Sequence, residues 1–480
     1  MTSTTFTPQS SPAKLPLAVV LAAVVVALVN LPGQNALLTT ISLIILLAGA
    51  AMLWRPGEPP ICLFIFGYQW LQASISAFHA NWLGIDVAAY TIYGGENGLA
   101  VLLTLIGLLA LAAGVRLGAG PVNPDLTRRA RALALSQPIR IWFWFYVLSA
   151  ILAIVALWVA AIVPGLSQPL LALAGLKWAF FLMFAYASFV RNQLGSPLFA
   201  AAFLVELAVS TGGYFSDFKT VMYFTLFAVI MAGVRMRTRH VIGAAILVAL
   251  IIASGIVWTA VKERYRDVAS SGAESQAITL DLGDRLTKLV RLTGDLDGET
   301  ISDATEKMIH RISYVELFGV VLVRIPQVMP YEEGANLLDA VSRPFMPRLL
   351  FADKSEINDT VRASNYTGGL SGTYPGTSIS LGYMADLYID FGPYFMMTVI
   401  FALGYLYGRT YRWLVNMRKC GPLVGFGCAC AIFAQAALLE VSLAKLVGGL
   451  VVSVLITTLF IALIVPRLSP WLVDNRQSGA

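Results

Sequence analysis

Residues 36–54 read ALLTTISLIILLAGAAMLW, nineteen consecutive positions without a charged side chain. A run of that length meets the roughly 20 apolar residues that an α-helix needs to cross a bilayer. Outward from it, comparable runs recur at 15–31, 58–78, 97–117, 141–163, 170–190, 196–213, 218–234, 241–261, 391–414, 421–439 and 446–466. The first run is followed by no clear small-residue cleavage site before the next begins at Ala36, so it reads as a retained span rather than a signal peptide. Composition agrees: 58% of residues are hydrophobic, 12% are charged and the mean hydropathy is +0.75. Soluble domains average roughly 45–50% apolar and about 25% charged residues. The expected fold class is all-α, a polytopic integral membrane protein with about twelve transmembrane helices.

The net charge of +6 does not point to nucleic acid, because the basic residues lie in short connections between apolar runs. Alternating the spans from a cytoplasmic N-terminus puts Arg55, Arg116, Arg128, Arg129, Arg131, Arg140, Arg191, Arg235, Arg237, Arg239, Arg409, Arg412, Arg418 and Lys419 inside. Short loops on the other side hold almost no Lys or Arg, so both termini are expected in the cytoplasm. Three regions follow: spans one to nine in 1–261, an extracytoplasmic loop in 262–390, and spans ten to twelve with a tail in 391–480. Residues 263–390 hold twelve Lys and Arg against nineteen Asp and Glu, an excess of seven negative charges.

The four cysteines lie in or beside apolar runs and imply no disulfide framework, while His79, His240 and His310 lack metal-ligand spacing. No metal or cofactor is expected. Within the loop, Asp303-Ala304-Thr305-Glu306 has the pattern of a helix start, and Arg311 shares a helical face with Val315, Phe318 and Leu322. Such an arginine either pairs with Glu306 or Glu316 or holds a ligand.

Further on, RPFMPRLLFADK at 343–354 sets Arg343 and Arg348 on a backbone stiffened by two prolines. Guanidinium groups suit forked recognition of phosphate oxygens. Arg362, in the same loop, is taken as a position outside any site. The glycine-rich 368–378 lacks the Gly-Lys-Ser/Thr ending of a P-loop. STGGYFSDFKT at 210–220 places Asp217 and Lys219 beside the mouth of the loop, and Glu206, Lys177 and Glu440 lie within or near span ends. Ionisable groups there are functional candidates, with mutual pairing or snorkelling favoured for Lys177. Gly404-x-x-x-Gly408 and Gly421-x-x-x-Gly425 read as sites of close helix approach.

STGGYFSDFK, KERYR (262–266), HRISYVELFG (310–319), RPFMPRLLFADKS and ADLYIDFGPYF (385–395) occur in an order that resembles the oligosaccharide repeat-unit polymerases of bacterial O-antigen and exopolysaccharide assembly, the Wzy type. The resemblance covers roughly 205–410; where that family has Gly-Glu and Asn, this chain has Ala385-Asp386 and Asp390. It implies a GT-C-like architecture and glycosyl transfer outside the membrane, from undecaprenyl-diphosphate-linked oligosaccharide to the next lipid-linked repeat. It also implies chain-length-regulator and flippase partners. The donor carries its own leaving group, so no cofactor is implied. Lys219, Arg264, Arg266, Arg311, Arg343 and Arg348 would bind the diphosphate, at about 1.5–3 kcal/mol per charge-assisted bond. Asp217, Glu206 or Asp386 would serve as base toward the acceptor hydroxyl. An O-antigen ligase shares the donor. A lipid-oligosaccharide flippase or transporter would show paired repeats and charges in both halves, and neither is found.

Overall fold

The computed structural model describes residues 17–211, 218–234, 252–261, 291–346, 356–372, 379–417 and 419–472, together with positions 246, 249, 250, 287, 351 and 354. The main helices are α1 (Leu17–Asn30), α2 (Ala36–Leu53), α3 (Ile61–Leu83), α4 (Asn97–Ala119), α5 (Pro124–Ser136), α6 (Ile139–Ile162), α7 (Ser167–Arg191), α8 (Pro197–Thr211) and α9 (Phe218–Met231). They continue with α10 (Ile252–Val261), α11 (Gly298–Ile312), α12 (Glu316–Arg324), α13 (Ala335–Ser342), α14 (Asp359–Thr367), α15 (Tyr383–Val415), α16 (Pro422–Phe433) and α17 (Leu443–Leu463). No strand occurs among the described residues. α2, α3, α4, α6, α7, α15 and α17 are long and apolar enough to cross a bilayer, and α1, α8, α9, α10 and α16 are shorter apolar helices. The protein is an all-helical membrane protein.

Helix α7 forms the middle of the bundle and packs against α6, α9, α16 and α17. Its residues Ala179–Ser188 are buried on every side, as expected of a helix that is apolar all round. By contrast α6 turns Trp144, Leu148, Ile151 and Trp158 outward, and such a band of exposed large apolar groups suits contact with lipid.

The closest crossing joins α4 to α15. A Cβ on Gly114 would lie 2.2 Å from the carbonyl oxygen of Phe401, and one on Gly404 would lie 2.3 Å from that of Leu111. Gly118 and Gly408 repeat the contact one turn further along. The Gly404-x-x-x-Gly408 spacing therefore works as the sequence suggested, against a second glycine pair, Gly114-x-x-x-Gly118, that the sequence reading passed over.

At one end of the bundle, the basic face, Arg55 pairs with the fully buried Glu58 at 2.6 Å, and Tyr411 Oη donates to the same carboxylate at 2.7 Å. The amphipathic α5, started by Asn123 accepting from the Asp125 amide with Pro124 at the first helical position, lies across this end. The opposite end, the loop face, carries α11 to α14 and the turn between α16 and α17.

Two sequence expectations are corrected there. α11 begins at Asp297, whose side chain accepts from the Thr300 amide, so Asp303 to Glu306 lie inside the helix rather than at its start. The helix also ends at Ile312 and a new one starts at Glu316, so Arg311 and Val315 do not share one continuous face. Residues 383–391 are helical and run into the span that follows across a break at Gly392, where φ is +68°, just before Pro393.

Candidate functional site

The segment ADLYIDFG opens α15 and places Asp386 in its first turn, where a carboxylate is favoured by the helix dipole. Asp386 is only 1% exposed, and Oδ2 accepts from the backbone amide of Leu443, the first residue of α17, at 2.8 Å. Its other oxygen faces Arg362 Nη2 at 2.9 Å. Arg362 lies three residues after Asp359 on α14, hence on the same helical face. Buried Asp359 pairs with Lys445 Nζ at 2.7 Å. Two ion pairs of opposite polarity thus dock α14 across the starts of α15 and α17. The assignment of Arg362 to a position outside the site is corrected: it is the cation that balances the buried Asp386.

One turn along α15, Asp390 accepts from the backbone amides of Asn336 and Leu337 at 3.1 and 2.8 Å and from Asn336 Nδ2 at 2.7 Å. It thereby anchors the first turn of α13. That helix leads into the 3₁₀ turn Arg343–Phe345, where Arg343 Nε reaches back one turn to Asp339 Oδ2 at 2.5 Å. Lys354 Nζ donates to the carbonyls of Arg343 and Met346 at 2.7 and 2.9 Å and holds the turn closed. Arg343 therefore stands on a fixed turn with an aspartate at hand.

Glu316, offered as a partner for Arg311, is taken by other groups. His310 Nδ1 lies 2.9 Å from its Oε1, and the Ile92 amide donates to Oε2 at 2.8 Å. The carboxylate within electrostatic reach of Arg311 lies instead in the turn between α16 and α17. There, partly buried Glu440 lies within electrostatic reach of Arg311 on α11 and Lys219 on α9. Burial pushes the Glu440 carboxyl above its ordinary range, and the two cations oppose that rise. Tyr68 and Tyr314 share the field of this carboxylate.

The turn is held from three sides. Buried Gln69 donates to the Ala436 carbonyl at 2.7 Å and itself receives Tyr383 Oη at 2.8 Å. Buried Gln72 accepts from the Leu439 amide at 2.9 Å. Gly382, at φ +83°, lets the Leu439 carbonyl approach so closely that a Cβ there would lie 2.4 Å from the oxygen.

Lys219 and Arg311, two of the cations picked from sequence, thus both act electrostatically on Glu440. Glu206 does not join them: Tyr146 Oη donates to it at 2.5 Å and Lys177 Nζ lies 3.0 Å away, a buried clasp of α6, α7 and α8. Of the two alternatives that the sequence leaves open for Lys177, pairing and snorkelling, the structure shows pairing. Asp217, Arg264, Arg266 and Arg348 lie outside the described residues. Among the described residues, no three His, Cys, Asp or Glu side chains gather as metal ligands.

A family described as a domain of unknown function, DUF8712, matches residues 100–435. The chain belongs to this family. No curated protein and no solved structure matches it. In this DUF8712 protein the matched stretch includes Asp386, Arg362, Asp359, Arg343, Arg311 and Lys219. The site runs past that stretch at both ends, because Gln69 and Gln72 precede it and Glu440 and Lys445 follow it.

The sequence reading missed Arg362, Asp359 and Lys445 as site members. A signal was present, since Asp359 and Arg362 are spaced to share one face of a helix capped by Asn358. Their partners sit on other helices, which spacing alone does not reveal.

Proposed function

We propose that this DUF8712 protein is a membrane glycosyltransferase that polymerises undecaprenyl-diphosphate-linked oligosaccharide repeats at the outer face of a bacterial inner membrane. In this reading it has twelve spans in a GT-C-like arrangement, both termini in the cytoplasm and the loop face outside. The observation that supports the proposal most is the turn at the loop face that Gln69, Gln72 and Asp386 fix in place, whose partly buried Glu440 lies in the field of Arg311 and Lys219. Arg343 stands on a fixed turn at the same face. Cations at that level suit the diphosphate of a lipid-linked donor, whose sugar lies above the membrane while its prenyl chain stays in lipid.

In this reaction the acceptor hydroxyl oxygen bonds to the anomeric carbon, the carbon–oxygen bond to the diphosphate breaks, and the electron pair leaves with the phosphate oxygen. The hydroxyl proton passes to a base. Charge growing on the leaving diphosphate is what fixed cations stabilise most. Arg362 is spoken for by Asp386, so that pair holds the site together while Arg311, Lys219 and Arg343 face the substrate.

The glycan profile of a deletion strain tests the proposal. Single lipid-linked repeats without polymer are expected. Complete polymer that lacks only its attachment to core would identify a ligase, and unchanged polymer would withdraw the proposal.

A further inference from the structure

We infer that Glu440 is the catalytic base of this site, accepting the proton of the acceptor hydroxyl, and that Arg311 and Lys219 exchange its charge for that of the departing diphosphate. The inference rests on the glycosyl-transfer reading above and names a residue outside both the matched stretch and the three acids chosen from sequence.

The first ground is how the turn is built. Leu438 to Ser442 is a short irregular connection between two helices. The buried side chains of Gln69, Gln72 and Asp386 hydrogen-bond to the backbone of Ala436, Leu439 and Leu443, and Gly382 admits the Leu439 carbonyl. Burying three polar side chains costs free energy that their bonds to the backbone of Ala436, Leu439 and Leu443 offset, while the Ser442 hydroxyl of the same turn is buried without a partner among the described residues. What the turn presents is one ionisable side chain, Glu440. Locking a reactive group through its supporting residues is what pre-organisation requires.

The second ground is what surrounds it. The charged and titratable groups that act on Glu440 come from four elements: Lys219 at the start of α9, Arg311 in the last turn of α11, Tyr68 on α3 and Tyr314 in the connection after α11. Both cations are exposed, and neither makes a contact ion pair with Glu440. They act on Glu440 through space. Of the three acids chosen from sequence, Asp386 is engaged by Arg362 and the Leu443 amide and Glu206 by Lys177 and Tyr146, while Asp217 lies outside the described residues.

The chemistry follows from charge balance. Before reaction the two cations face a carboxylate and the donor diphosphate. As the acceptor oxygen bonds to the anomeric carbon, its proton moves to Glu440 and that carboxylate loses its charge. In the same step the diphosphate gains one as the glycosidic bond breaks. The negative charge facing Arg311 and Lys219 is unchanged in amount and shifts from protein to leaving group.

The test uses the full-length protein in nanodiscs with lipid-linked repeats extracted from a deletion strain. Glu440→Gln is expected to lower kcat by about 10²- to 10⁴-fold, to leave KM within about threefold, and to lose the acidic limb of the pH–rate profile. Glu440→Asp keeps a carboxylate and guards against misfolding: it is expected to elute as folded protein with a reduced kcat. Formate is expected to restore part of the activity of Glu440→Ala, which a merely structural residue would not allow. Glu440→Gln within about tenfold of wild type, or Glu440→Ala unmoved by formate, overturns the inference alone. A wild-type protein that makes no polymer withdraws the parent reading and this inference with it.

Discussion

Arg362 and Asp386 form an ion pair at 2.9 Å that joins a short loop helix to the first turn of a transmembrane helix, with the carboxylate 1% exposed. A carboxylate that deep cannot be left alone, since removal of one partner from a buried pair costs about 3–5 kcal/mol. Its second oxygen is satisfied by the Leu443 amide, so only the arginine side is open to perturbation.

Arg362→Ala is accordingly expected to destabilise the protein by about 3–5 kcal/mol, and Asp386→Asn to cost less because it removes the charge while keeping a partner for the Leu443 amide. The double variant should be less damaged than the sum of the two. Thermal unfolding in detergent, followed as a double-mutant cycle, measures the coupling. Additive effects would show that the two residues do not depend on each other.

The crossing of α4 and α15 makes a sharper prediction about size. Gly404→Ala puts a methyl 2.3 Å from the Leu111 carbonyl and is expected to abolish folded material on gel filtration. Gly448→Ala, with nothing within 4 Å of its Cβ, is expected to be neutral or mildly stabilising. Equal yields from the two variants would mean that the helices do not meet as described.

Glu440 predicts a pH effect that is independent of catalysis. Burial holds its carboxyl above the ordinary value of 4.5, so the folded protein keeps a proton that the unfolded chain has already lost. Stability from this group is fully present below the unfolded value and is lost as pH rises through the folded one. The Tm of Glu440→Gln relative to wild type should therefore become more favourable as pH rises from the unfolded value through the raised folded one. A difference that stays flat over this range would contradict the burial assigned to Glu440.

Arg343 and its neighbour Asp339 separate ligand binding from turn structure. If Arg343 meets the diphosphate, Arg343→Ala and Arg343→Lys should each lower polymer yield per folded protein about ten- to hundred-fold. Asp339→Ala, which removes only the half-exposed partner, should stay within about threefold. Matching losses from Asp339→Ala and Arg343→Ala would place the value of Arg343 in the turn.

The proposed sidedness is checked by reporter fusions. One near Arg129 is expected to report cytoplasm and one near Glu356 the outside. A cytoplasmic signal at Glu356 would remove the basis for a donor assembled beyond the membrane.

The helical membrane class was legible because lipid demands long apolar runs, and segments such as 36–54 meet that demand by composition alone. Lys219 and Arg311 were legible as cations near the loop, and Gly404 and Gly408 as a packing pair. The partners were not, because they are set by how helices cross. Asp386 meets Arg362 and Leu443, and Gly404 meets Leu111, only once α14, α15, α17 and α4 are assembled. Boundaries failed where a local pattern competed with a better one. Asp303 resembled a cap, yet Asp297 supplies the cap, and the helix then stops short of Val315.

Gly382 bears on how variation across the DUF8712 family would read. The atom that excludes a side chain at this position is the carbonyl oxygen of Leu439, which every amino acid carries. Substitution at 439 therefore offers no compensation, and 382 has no partner with which to co-vary. An alignment would display an invariant glycine a few residues before Asp386, coupled to nothing. That pattern would be the trace of a backbone passing over a backbone, and its invariance would owe nothing to contact with substrate.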